Sequence, residues 1–109
     1  MHSQYHFLFP ATTVNIAPGI SNVSLERWIP DGLKRTIEVT DYYFGPEASP
    51  KEIEELMAWD NQVGEEDVSL VESVQRGLDS GAVPQGRLMV ESEQLIADFQ
   101  RRVRDALLT

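Results

Sequence analysis

The sequence predicts an α+β fold in which an antiparallel sheet is followed by long amphipathic helices. Three observations carry that expectation. Alternating segments rich in β-branched and aromatic residues fill positions 5–44, the hydrophobic period lengthens to that of a helix after Ser49-Pro50, and strands and helices do not interleave. Strands first and helices afterwards is the pattern of a sheet packed against helices on one face.

The first strand is the apolar run Tyr5 to Phe9, closed by Pro10, and the second is Thr13 to Ala17, where Val14 and Ile16 alternate before the Pro18-Gly19 turn. In the third, Val23, Leu25, Arg27 and Ile29 share one face while Ser24, Glu26 and Trp28 share the other. Pro30-Asp31-Gly32 supplies turn chemistry, because proline presets φ and glycine tolerates a left-handed backbone. The returning arm spans Arg35 to Phe44, with Ile37, Val39 and Tyr43 alternating against Thr36, Glu38, Thr40 and Tyr42.

Ser49, Pro50 and Glu52 stand in register as an N-cap, a first-turn proline and a capping-box acid. A helix over about 50–63 follows, with Ile53, Leu56, Met57 and Val63 at helical spacing and Gly64 as its stop. A second helix over about 65–78 begins in Glu65-Glu66-Asp67, acids that suit the positive end of a helix dipole, and carries Leu70, Val71, Val74 and Leu78. Asp79-Ser80-Gly81 ends it. After a loop holding Pro84 and Gly86, a third helix over about 92–108 is expected, capped by Ser92, with Leu95, Ile96, Phe99, Val103 and Leu107 on one face.

A chain of 109 residues has room for one domain with a modest core. At 41% hydrophobic and 25% charged residues, it has the composition of a folding domain rather than of a disordered or fibrous one. The formal charge of −9 repels phosphate backbones and anionic lipid, so neither nucleic acid nor a membrane surface is an expected partner. There is no cysteine, hence no disulfide, thiolate zinc site or thiolate-held iron–sulfur cluster in this chain. Met1 to Pro10 shows neither a cationic leader nor a long apolar stretch, so a cytoplasmic address is expected. Exposed sheet edges seek partners, which makes a homo-oligomer a reasonable expectation.

Few residues offer chemistry of their own. The two histidines, His2 and His6, are four apart in a strand-like context, a separation too long for both to grip one ion. No serine sits in a nucleophile-elbow pattern and no glycine-rich phosphate loop occurs, so no catalytic residue is assigned. Glu65, Glu66, Asp67 and Glu72 read as a solvated helix start, although a transition metal also draws acidic ligands from helices.

Wording adds to this what composition does not. The segment Glu66-Asp67-Val68-Ser69-Leu70-Val71-Glu72-Ser73-Val74-Gln75-Arg76-Gly77-Leu78, followed by Ser80 and by Gly86-Arg87-Leu88, resembles a stretch near the end of Rieske-type aromatic ring-hydroxylating oxygenase α subunits. Phe7-Leu8-Phe9-Pro10, Val14-Asn15-Ile16, Arg35-Thr36 and Asp41-Tyr42-Tyr43-Phe44 resemble that family in the same order. The resemblance covers nearly the whole chain and implies the C-terminal portion of a START-like, helix-grip catalytic domain, with a pocket between sheet and helix.

It further implies a mononuclear Fe(II) held by two histidines and one carboxylate. The carboxylate falls on Asp67, or on Glu66 if the alignment slips by one. The [2Fe-2S] cluster and both iron histidines belong to family segments that this chain does not contain. The implied partner is an upstream α-subunit polypeptide that completes the unit. Phe7, Phe9, Trp28, Tyr42 and Phe44 become candidates to line a pocket for an aromatic or otherwise hydrophobic small molecule, or are plain core aromatics. The competing expectation is a non-catalytic START-like ligand-binding module or a truncated remnant.

Overall fold

The computed structural model describes residues 2–109 and has the expected α+β class, with element order consistent with a helix-grip-like arrangement. Strands β1 (Gln4–Leu8), β2 (Thr12–Ile16), β3 (Asn22–Pro30) and β4 (Thr36–Phe44) precede helices α1 (Pro50–Asp79) and α2 (Gln94–Leu108). The chain divides into two compact units, Met1–Leu56 and Met57–Thr109.

The first unit is an antiparallel meander of order β1-β2-β3-β4, so β1 and β4 are its edges. Short connections fix the register. Asn22 ties the β2–β3 turn, its amide oxygen accepting from the Ala17 amide at 3.0 Å and its NH2 donating to the carbonyls of Ala17 at 3.0 Å and Ile20 at 2.7 Å. Gly19, with φ of 111°, supplies the left-handed residue this turn requires. At the other end of the hairpin, Asp31 pairs with Arg35 across the β3–β4 turn. Beyond β4, the Gly45 amide donates to the Ser21 carbonyl at 2.8 Å, and a Cβ on Gly45 would lie 2.7 Å from that of Ser21. Only glycine permits so close an approach of the two strand ends.

Helix α1 starts as expected. The Ser49 hydroxyl accepts from the Glu52 amide at 3.3 Å, and the Glu52 carboxylate accepts from the Ser49 amide at 3.0 Å, which makes the box reciprocal. It does not stop at Gly64: the helices expected over 50–63 and 65–78 are one helix of 30 residues. A glycine ends a helix by adopting positive φ, and Gly64 does not; the residue that does is Gly81, at 72°. The apolar stripe runs unchanged across Gly64, although an interior glycine costs a helix roughly 1 kcal/mol.

The other helix begins one or two residues later than expected, at Gln94, with Glu93 rather than Ser92 in the capping position and no side-chain cap bond there. The arginines near its end are engaged by acids of the same helix. Arg102 meets Asp98 at 2.6 Å, Arg101 meets Asp98 and Asp105, and Arg104 meets Asp105 at 3.4 Å. Bonds from Arg102 first and Arg101 second hold the Asp98 carboxyl below its ordinary range. No described residue in either unit is fully buried, and large apolar side chains such as Val71, Val74, Leu95 and Phe99 remain exposed.

Candidate functional site

Strand register decides which side chains of the sheet can act together, because directly opposed residues share a face. One row runs Phe7, Thr13, Glu26, Thr40 across the four strands, and the next runs Tyr5, Asn15, Ser24, Tyr42. Trp28 opposite Glu38 and Asn22 opposite Phe44 complete the same face. Four of the five aromatics expected at a pocket, Phe7, Trp28, Tyr42 and Phe44, therefore stand on one surface. Phe9 does not join them by pairing: it lies in the turn after β1, at a cis bond to Pro10.

This surface is polar as well as aromatic. Thr13 donates its hydroxyl hydrogen to Glu26 at 2.7 Å, and the Asn15 amide donates to the Thr13 hydroxyl at 3.3 Å, all within a partly buried cluster. The rings of Tyr42 and Phe44 stack with centroids 6.5 Å apart. Among the described strand residues, this face holds Glu26 and Glu38 and no lysine, arginine or histidine.

The opposite face is built for packing. It carries Leu8, Val14, Ile16, Val23, Leu25, Ile29, Ile37 and Val39, and its Arg27 is paired with Asp41 at 2.9 Å. Aliphatic groups of this kind bury area without directional demands. Aromatic rings interleaved with hydroxyl, amide and carboxylate groups can instead orient a ligand. Sequence parity alone already grouped Ser24, Glu26 and Trp28. It did not reveal Thr13 and Asn15 beside them, because that depends on register between strands.

The proposed metal-binding acids lie on α1. Asp67 is not at a helix start, as the sequence suggests; it is in the interior of α1, so a dipole at an N-terminus does not account for it. The uninterrupted helix places it within the apolar stripe. Ile53, Leu56, Asp60, Val63, Asp67, Leu70 and Val74 recur at alternating steps of three and four, the spacing of a single helical seam. Glu66, about 100° around the helix from Asp67, leaves that seam and accepts a bond from Gln62 at 3.2 Å. The two adjacent acids thus stand on different sides of α1, and both are exposed.

One turn before and after Asp67 stand Val63, Gly64, Leu70 and Val71, none of which offers a donor. His6 lies on β1, where its ring meets the Gln4 side chain at 3.3 Å. Among the described residues, no group of three or more histidines, cysteines or acids converges as a metal site. An iron centre of two imidazoles and one carboxylate therefore finds at most its carboxylate here.

An open groove of about 380 Å³ runs along α2, lined by Phe99, Gln100, Val103, Arg104, Leu107 and Leu108. None of the aromatics expected at a pocket contributes to it. No described helix is long and apolar enough to cross a membrane.

Comparison with known proteins adds a family. The family model for the ring hydroxylating alpha subunit (catalytic domain) matches residues 1–109. The carnitine monooxygenase oxygenase subunit of Acinetobacter baumannii is 37% identical over 103 residues, covering 87% of this chain and 28% of that protein. The subunit of the same name from Escherichia coli K12 is 39% identical over 90 residues, covering 79% of this chain and 24% of that protein. The chain thus spans about a quarter of the length of these relatives. No solved structure gives a significant match.

Proposed function

The chain belongs to the ring-hydroxylating oxygenase α-subunit family, within its catalytic domain, and from that premise we propose that it acts as the C-terminal portion of a Rieske-type non-haem iron oxygenase. In this reading Asp67 gives the carboxylate ligand of the mononuclear iron, and the aromatic and polar face of the sheet forms one wall of the substrate pocket. Iron(II) held by two imidazoles and a carboxylate keeps positions open for dioxygen and substrate, which is the chemistry the group supplies when bound. This chain's own share is a ligand and a wall. The other donors come from an upstream α-subunit polypeptide, and the chain is inactive alone.

The observation that carries the reading is the place of Asp67 in the seam of α1. An apolar seam on a helix is stable when other groups cover it, and covering this one brings the Asp67 carboxylate inside with it. A carboxylate taken out of water needs a compensating cation, and a metal ion satisfies that need. The relatives' name points to carnitine, a trimethylammonium compound, and we extend that substrate class to this chain.

The test is to co-produce the chain with an upstream α-subunit polypeptide and to measure iron in the purified complex. Bound iron that falls at least about tenfold in Asp67→Ala, and is unchanged in Glu66→Gln, is the expected result. Equal iron in all three proteins overturns the assignment. A second reading, a non-catalytic module for hydrophobic ligands, is favoured by the aromatic face, which needs no metal to bind. Ligand binding by an iron-free complex, with no substrate turnover after iron is restored, would select it.

A further inference from the structure

We propose that Glu26 is the anionic anchor of the sheet wall and selects cationic, methylated-ammonium groups over neutral or anionic ones. The inference deepens the functional reading above and depends on it for the identity of the wall. Its own support is local. Glu26 is partly buried in the row Phe7, Thr13, Glu26, Thr40, with Trp28 two residues along β3 and Tyr42 two residues along β4 from its partner Thr40. Thr13 holds one carboxylate oxygen at 2.7 Å and is itself held by Asn15, so the group is oriented.

Three classes of occupant can be weighed against that surface. A neutral arene would cover the carboxylate and strip it of water while giving nothing back. An anionic substrate would meet Glu26 and Glu38 on a face without one basic residue among the described strand positions. A methylated ammonium compensates the carboxylate and offers polarised methyl groups to a neighbouring ring such as Trp28, two residues along β3, and aromatic faces attract such cations. Charge complementarity therefore favours the cation. Arg27, the one cation of β3, is on the other face and paired with Asp41 at 2.9 Å.

The experiment titrates choline and its uncharged isostere 3,3-dimethylbutan-1-ol, by calorimetry, into the full chain and into its complex with the upstream polypeptide. Choline is expected to bind roughly tenfold more tightly than the alcohol in the wild type, with a preference that shrinks as salt rises. Glu26→Gln keeps the size of the side chain and an acceptor for Thr13; it should abolish the preference and its salt dependence, and Glu26→Asp should restore part of it. An unchanged preference in Glu26→Gln overturns the proposal, and so does failure of both preparations to bind choline. Iron content separates this outcome from that of the functional reading. A choline preference in a complex that never retains iron sinks the oxygenase role alone, whereas iron retention that responds to Asp67→Ala without any choline preference sinks only the role of Glu26.

Discussion

Asn22 shows how much one side chain decides locally. Its amide both accepts from and donates to the β2–β3 turn, and Asn22→Asp would place a carboxylate against the carbonyls of Ala17 and Ile20 in place of two donated hydrogens. The loss is expected to be about 2 kcal/mol, read as a lower urea midpoint with an unchanged slope. Pro18-Gly19 announces that turn in the sequence, but Asn22 does not, since its partners are carbonyls brought near only by the turn itself. The candidate site was legible to a similar degree. Trp28, Tyr42 and Phe44 stand out as aromatics, whereas the significance of Glu26 depends on Thr13 lying opposite, a fact of pairing rather than of composition. Asp67 was recognisable from the wording around it. That it shares a helical seam with Val63 and Leu70, and Glu66 does not, became visible only when Gly64 proved to lie inside a helix.

At the level of elements, α1 makes two predictions. The Glu52 carboxyl is held below its ordinary value of 4.5, first by the Ser49 hydroxyl and then by the Ser49 amide. A lowered folded-state value means that the acid's contribution is complete above pH of about 4.5 and is lost as pH falls through the lowered value. Protection of the Ile53 amide, whose NH donates to the Ser49 carbonyl at 3.1 Å, should fall over that acid range relative to the intrinsic exchange rate at each pH. Ser49→Ala should cost about 1 kcal/mol and weaken the pH dependence without abolishing it, because the backbone amide bond to Glu52 remains.

Gly64→Ala is the second test of this helix. A methyl group at Gly64 meets nothing within 4 Å, so the isolated chain should gain up to about 1 kcal/mol, seen as a raised melting temperature. The strands and the start of α1 were readable because alternation and the capping box are local signals. The joining of two expected helices into one was not, because a glycine reads as a stop unless its φ is known.

At the scale of the chain, each of its two units carries large apolar side chains that are exposed. No described residue reaches full burial, while Tyr5, Leu70, Val71 and Leu95 are among many large apolar groups left more than half exposed. Apolar surface of this kind commonly marks a site of association with another molecule or with further copies of the chain. The chain alone, at micromolar concentration, should therefore bind a hydrophobic dye strongly and elute larger than 12.3 kDa; a sharp monomeric peak without dye binding would contradict this. Class and element order could be read from period and composition, since each is written segment by segment. What covers the faces could not, because a seam in one chain does not name its partner. The barren turns on either side of Asp67 carry one more implication. Under the proposed role, an ion that takes a single donor from this chain is a rivet between polypeptides, so a chelator should behave as a dissociating agent and the lifetime of the complex should track its iron occupancy.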